Sequence, residues 1–315
     1  MASTLSAAHY HDETAAYAYL EARVWPNGPV CPYCGGVERI SKMNGKSTRI
    51  GMHKCYQCRG KFRVTVGTVF ESSHVPLNIW LQAVALLTSS KKGMSSNQLH
   101  RILGVTLKTA WFMSHRIREA MRDGTMAPMG STGGVVEVDE TYIGKKVDQS
   151  PSPQRNGRPY LKRRHGLIKR AVVSLVERGG HVRSFHVENA DKATVNNIVN
   201  ANIAREAQIH TDESRLYSDV AGRFAAHETV KHSAGEYARD DVNTNTVEGV
   251  FSIFKRGMTG IYQHCAEKNL HRYLSEFDFR YNNRVRLGVN DAMRADIALA
   301  GIVGKRLTYR TTARG

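Results

Sequence analysis

The chain has 315 residues, 41% of them hydrophobic, and 45 Lys and Arg against 28 Asp and Glu give a net charge of +17. That length supports two or three domains with cores of their own, and the charge points to a polyanion partner, nucleic acid ahead of an anionic membrane surface. No apolar run approaches the roughly 20 residues of a membrane helix, and no apolar signal core accompanies Asp12 and Glu13, so export is not expected and the expectation is a cytoplasmic protein.

Residues 1–24 read as an N-terminal segment with a helix over 10–23, carrying Tyr17, Leu20 and Val24 near one face and ended by Trp25-Pro-Asn-Gly-Pro. Residues 25–72 read as a zinc ribbon. Four of the five cysteines form two pairs, Cys31-Pro-Tyr-Cys34-Gly-Gly and Cys55-Tyr-Gln-Cys58-Arg-Gly. Each Cys-x-x-Cys turn offers two thiolates to one ion, and two such turns complete the tetrahedral four-sulfur set of structural Zn²⁺. Strands are expected over 48–53 and 61–66. His53 reads as a bystander, because four sulfurs already fill the site. Cys265 reads as an inert thiol.

Residues 75–123 read as an all-α helix-turn-helix DNA-binding domain. A first helix starts at Pro76, a short one spans 95–103, Gly104-Val105 turns, and a longer helix spans 106–121. On the last helix Leu107, Ala110, Trp111, Ser114, Ile117 and Met121 are expected inward. Lys108, Thr109, Phe112, His115, Arg116 and Arg118 are expected outward, and Lys108, Thr109, His115 and Arg116 are the candidate DNA contacts. Residues 124–134, rich in Gly, Met and Ser, read as a linker.

From 135 the pattern becomes α/β. A buried strand runs into Asp139-Glu140, and two strands over 171–176 and 181–187 are joined at Gly179-Gly180. A helix over 193–204 follows, capped by Asp191, then a short strand over 208–211 ends in Asp212. Helical pieces are expected near 217–224, then a short helix over 245–255 and a last, long one over 267–283. Val247, Val250, Phe251, Phe254 and Met258 fall on one apolar stripe of the first of these, with Glu248 and Lys255 together on its rim. The loop 145–170 is dense in Lys and Arg. Lys162, Arg163, Arg164 and Lys169 are its candidate DNA contacts, drawn to phosphates. Residues 291–315 read as a C-terminal tail.

Asp139 and Asp212 fall at the ends of strands that can lie side by side, and Glu248 on a helix that can face them. Three converging carboxylates repel one another unless cations bind between them. Hard oxygen donors favour Mg²⁺ or Mn²⁺, and two ions about 4 Å apart can activate water or a 3′-hydroxyl and steady the leaving oxygen in phosphoryl transfer. Alternation along the first strand sends Asp139 and its rival Glu140 to opposite faces. Lys255 is placed to meet a phosphate.

The motifs Val138-Asp-Glu-Thr-Tyr-Ile-Gly144, His210-Thr-Asp-Glu-Ser214, Asn243-Thr-Asn-Thr-Val-Glu-Gly249 and Arg272-Tyr-Leu-Ser-Glu-Phe-Asp-Phe-Arg-Tyr-Asn-Asn-Arg284, behind a four-cysteine ribbon, resemble the ISXO2-like transposases of the IS1595 insertion-sequence family. The resemblance covers residues 12–310. It implies a DDE catalytic domain of RNase H-like fold over 135–290, a mixed sheet flanked by helices. Asp139, Asp212 and Glu248 would hold two Mg²⁺ (or Mn²⁺) ions, with Lys255 at substrate DNA and Asn245, one turn before Glu248, as the alternative third ligand. It further implies binding of terminal inverted repeats and target DNA, metal-dependent strand cleavage and strand transfer, and a homo-oligomer on DNA. A non-catalytic DNA-binding regulator and an RNase H-like host nuclease are the alternatives.

Overall fold

A computed structural model describes residues 4–122, 127–144, 152–155, 158–160, 169–220, 222–236 and 238–308. The chain divides into two units, Met1–Asp123 with Asn283–Gly315, and Gly124–Asn282.

The first unit begins with α1 (Glu13–Val24), started by Asp12, whose carboxylate accepts the Ala15 N–H at 2.7 Å. A three-stranded antiparallel ribbon follows, β1 (Ile40–Lys42), β2 (His53–Cys55) and β3 (Lys61–Phe62). The strand expected over 48–53 forms only from His53. Gly51 interrupts it at φ 70°, where an added Cβ would stand 2.2 Å from the Tyr17 ring, so the chain turns there to pass the aromatic ring. α2 (Leu77–Ser89) buries Leu77, Trp80, Leu81, Ala83, Val84, Ala85 and Leu87, which makes it the centre of the unit. Ser95 caps α3 (Ser96–Leu103), Gly104 ends it in the left-handed region, and Thr106 caps α4 (Leu107–Ala120).

The expected faces of α4 are partly reversed. Leu107 and Trp111 are exposed, and Lys108 stays exposed with Thr109 half-buried. His115 and Arg116, read as DNA contacts, are buried, as is Arg118. The cause lies far along the chain. Arg116 donates to the Leu307 carbonyl at 3.0 Å and to the Glu71 carbonyl at 2.9 Å, so the returning C-terminal segment covers that face.

The second unit is built on β4 (Val135–Ile143). A hairpin of β5 (Ser152–Arg155) and β6 (Arg158–Tyr160) precedes β7 (Arg170–Glu177) and β8 (Val182–Val187). α5 (Lys192–Asn202), capped by Asp191, leads to β9 (Gln208–Asp212). A further strand, β10 (Ala226–Val230), follows where a loop was expected. Its sequence, Ala-His-Glu-Thr-Val, shows no apolar alternation because it forms a sheet edge. Of the helical pieces expected near 217–224, one 3₁₀ turn, Arg215–Tyr217, forms. The sheet order is β10-β9-β4-β7-β8, with β7 antiparallel to both of its neighbours β4 and β8, and β9 and β10 parallel to β4, so that β7 alone runs against the other four strands. One face packs Val136, Val138, Val173 and Leu175 against Val195 and Val199 of α5. The short hairpin β11 (Ala238–Arg239) and β12 (Val242–Asn243) leads into α6 (Asn245–Gly257), and α7 (Leu270–Asn282) follows. These two helices cover the other sheet face through Val172, Val176 and Val182.

α7 also closes the edge strand β8. Asn282 accepts the Val182 N–H at 2.7 Å and donates to its carbonyl at 3.0 Å, while Asp278 accepts the Ser184 N–H at 2.7 Å. Polar side chains thereby satisfy backbone groups that an open edge would leave for another strand. Residues 127–134, read as linker, are partly docked in this unit. Met129 is buried, and its N–H donates to the Asn202 carbonyl at 2.8 Å. The stretch read as a C-terminal tail contains α8 (Asp291–Ala300), which belongs to the first unit and packs on α2. Among the described residues no helix is long and apolar enough to cross a membrane.

Candidate active site

The parallel pairing of β4 with β9 sets Glu137 opposite His210. Continuing that register two residues further brings Asp139 level with Asp212, the last residue of β9. Asp139 shares a sheet face with Glu137, the face covered by α6. Glu248 lies in the first turn of α6 and Lys255 two turns on. The side chains of Asp139, Asp212, Glu248 and Lys255 therefore line one open cleft of about 600 Å³, together with Glu140, Thr141, Thr244, Phe251, Ser252 and Arg256. Asn245 is exposed and does not line it.

The carboxylates are held individually. Asp139 accepts the Glu140 N–H at 2.7 Å, Asp212 accepts the Ser214 N–H at 3.0 Å, and Glu248 accepts the Thr244 hydroxyl at 3.1 Å. Burial pushes the Asp139 carboxyl up to about 7, and the charges of Glu140, Asp212 and Glu248 add to the rise. Glu140 is also raised, chiefly by burial, while the Tyr217 hydroxyl donating to it at 2.5 Å works against the rise.

Such a set of mutually repelling oxygen donors fits a hard divalent cation, whose charge would offset the burial and the repulsion that together hold a proton on Asp139. The three carboxylates share a cleft without gathering as closely as the cysteines. Among the described residues, only the four cysteine sulfurs form a group of three or more ligand atoms all within 4.8 Å of one another.

Glu137 went unremarked in the sequence and proves central. It is fully buried and accepts four hydrogen bonds. The Thr246 N–H and hydroxyl donate at 2.8 Å each, the Val247 N–H at 2.9 Å and Arg178 Nε at 2.7 Å. The same guanidinium donates to the carbonyls of Asp241 at 2.7 Å and Asn243 at 3.0 Å, and stands 3.3 Å from His210 Nδ1. Strand, hairpin and helix are thus tied at one carboxylate. Its only sequence signal is a charged residue inside an otherwise apolar strand.

In the ribbon, Cys31 and Cys58 sulfurs stand 3.6 Å apart and Cys34 and Cys55 3.7 Å. Four sulfurs about 2.3 Å from a tetrahedral Zn²⁺ are separated by roughly this much, so the cluster fits structural zinc. Each knuckle turns back through a left-handed residue, Gly35 at φ 72° and Arg59 at φ 62°. His53 is buried beside the cluster and stacked on Phe62, with Nδ1 3.2 Å from the Gly51 carbonyl. Of the basic-loop candidates, Lys169 is exposed, while Lys162, Arg163 and Arg164 lie outside the described residues.

The family model for the ISXO2-like transposase domain matches residues 131–282, and that for the transposase zinc-ribbon domain matches residues 11–61. An uncharacterized protein in transposable element ISH50 of Halobacterium salinarum is 31% identical over 265 residues, covering 81% of this chain and 86% of that protein. Among solved structures, the Mos1 strand transfer complex aligns with 65% of this chain and 76% of its own, at 12% identity and TM-score 0.22. A pre-cleavage Mos1 transpososome aligns with 64% and 75%, at 12% identity and TM-score 0.19. Both superpositions are too loose to carry the fold.

Proposed function

Since the chain belongs to the ISXO2-like transposases of the IS1595 family, we propose that its acidic cleft cuts the DNA ends of an insertion sequence and joins them to target DNA. The supporting observation is the β4–β9 register, which sets Asp139 level with Asp212 in a cleft that Glu248 and Lys255 also line. The sheet, five strands of which only β7, beside the central β4, runs against the rest, suits an RNase H-like reading of the domain.

In this reading Asp139, Asp212 and Glu248 hold two Mg²⁺ or Mn²⁺ ions. Bound there, the ions supply activation of the attacking water or 3′-hydroxyl and charge neutralisation at the scissile phosphate. The chain's own groups do the positioning. Thr244 fixes the Glu248 carboxylate, the Glu140 and Ser214 amides orient Asp139 and Asp212, and exposed Lys255 meets a non-bridging phosphate oxygen. The α3–Gly104–α4 segment acts as a helix-turn-helix. With the ribbon, which Lys54, Arg59, Lys61 and Arg63 make basic, it binds the terminal inverted repeats, and two or more protomers hold both ends.

The test is cleavage in vitro of DNA carrying the element's own ends, with Mg²⁺ or Mn²⁺. Release of a 3′-hydroxyl end that is then joined to target DNA is expected, and both steps should stop in Asp212→Ala while end binding persists. Cleavage that survives Asp212→Ala would remove the acidic cleft from the reaction. End binding with no metal-dependent cleavage by the unaltered chain would leave a regulator.

A further inference from the structure

The first turn of α6 presents backbone N–H groups that no residue of its own helix can accept. The usual local cap is missing: Thr244, at the N-cap position, makes no side-chain bond to the helix backbone, while Asn243 Oδ1, just before it, accepts the Asn245 N–H at 3.2 Å. Its hydroxyl instead donates to Glu248 Oε1 at 3.1 Å. The cap comes from another element. Glu137 on β4, more than a hundred residues earlier in the chain, accepts the N–H groups of Thr246 and Val247 and the Thr246 hydroxyl. A carboxylate there also meets the positive end of the helix dipole, in a buried setting where charge-assisted bonds are strongest.

We propose that Glu137 is a positioning residue of the catalytic site, and that by capping α6 across the sheet it releases the Thr244 hydroxyl to aim Glu248. Glu137 lies two residues before Asp139 on the same strand face. One carboxylate therefore fixes the distance between the strand that bears Asp139 and the helix turn that bears Glu248. Were Thr244 the cap, as in an ordinary helix, its Oγ would be held over the N–H groups of the first turn by accepting from them, and the position of the hydroxyl would no longer be set by Glu248. The inference rests on the catalytic reading of the cleft.

Three variants of the full chain test it: Glu137→Ala, Glu137→Gln and Thr244→Val. Hydrogen exchange read by mass spectrometry gives a measure independent of metal and DNA. The amides at Thr246 and Val247 should lose protection in Glu137→Ala, and keep part of it in Glu137→Gln, whose amide oxygen still accepts. Exchange in the last turn of α6 should not change. End cleavage at saturating Mn²⁺ should fall about 100-fold in Glu137→Ala, the cost of a misplaced catalytic group, with partial rescue in Glu137→Gln. Thr244→Val should lose roughly tenfold, one orienting hydrogen bond, with an unchanged melting temperature and wild-type exchange at Thr246 and Val247. In the absence of DNA, Mn²⁺ titrated by electron paramagnetic resonance should bind more weakly to both Glu137→Ala and Thr244→Val.

Thr244→Val leaves the cap in place, so it decides the matter if Glu137→Ala does not fold. Wild-type cleavage and Mn²⁺ binding in Thr244→Val, with Asp212→Ala inactive, overturns the inference and keeps the cleft. Unchanged cleavage in Asp212→Ala overturns the catalytic reading itself.

Discussion

The Tyr217 hydroxyl donates to Oε2 of Glu140 at 2.5 Å. Tyr217 is buried in the core cluster that holds Val136 and Val138, on the sheet face opposite Glu137. Consecutive residues on β4 thus separate, Asp139 towards α6 and Glu140 towards Tyr217. Glu140→Gln still accepts the tyrosine proton and is expected to keep end cleavage within roughly tenfold of wild type. Asp139→Asn removes a charged oxygen from the proposed metal set and is expected to lose at least about 1,000-fold. Single-turnover end cleavage compares the two. Equal losses would make Glu140 a partner in the chemistry.

Asp139 carries a pH dependence of definite sign. With its carboxyl raised to about 7, the folded chain holds a proton that the unfolded chain, with an ordinary carboxyl near 4, has released. As pH rises between those values the metal-free fold loses stability, and half-buried Glu140, raised for the same first cause, adds in the same direction. The metal-free melting temperature should therefore fall as pH climbs through this window, less steeply in Asp139→Asn. Mn²⁺ must displace the proton, so the rise in melting temperature it causes should be larger at about pH 8 than at about pH 6. An Mn²⁺ effect independent of pH would place the ion elsewhere.

Arg178 holds the other side of the capping carboxylate. Glu137 is fully buried, so removing its counter-charge leaves an under-compensated anion inside the protein. Arg178→Met is expected to cost roughly 3 kcal/mol in urea unfolding. Asp241 pairs with the same guanidinium at 3.0 Å but is 87% exposed. Asp241→Ala should cost no more than about 0.5 kcal/mol. A similar cost for both variants would mean that the hairpin, not the buried pair, carries the stability.

The features legible in the sequence are those whose cause is local. Two Cys-x-x-Cys turns declare a four-sulfur site by spacing alone, and the apolar stripe of α6 places Glu248 and Lys255 on its rim by helical geometry; Val247, Val250, Phe251, Phe254 and Met258 are all buried. Asp139 and Asp212 could be paired because each belongs to a recognisable strand, although β4 runs on past Asp139 to Ile143. What escaped notice depends on contacts between distant segments. Glu137 reads as one more acid beside Asp139 until the first turn of α6 arrives against it. Asp278 and Asn282 sit on a stretch legible as a helix, but their work, closing the β8 edge, needs the sheet to exist first. β10 has no alternation to detect. α8 looked like tail because its partner, α2, lies some two hundred residues earlier.

The same cause reversed the face of α4, and it yields a discriminating pair of variants. Lys108 is exposed at the start of the helix, with Leu107 and Trp111 also exposed nearby. Arg116, two turns on, is buried against the carbonyls of Leu307 and Glu71, with the Phe112 ring 4.6 Å from its guanidinium. If α4 meets DNA, the contact comes from its first turns. Lys108→Ala should weaken end binding at every sequence tested, and lower the slope of log K against log salt by about one ion. Its melting temperature should not change. Arg116→Ala should lower the melting temperature by several degrees for about 2 kcal/mol of lost buried hydrogen bonds. It should leave the salt slope as it was wherever the protein remains folded. Fluorescence anisotropy across a salt series, beside thermal melts of the same proteins, separates the two. A reduced salt slope in Arg116→Ala without any loss of stability would mean that the covering segment lifts away and that this arginine reaches phosphate after all.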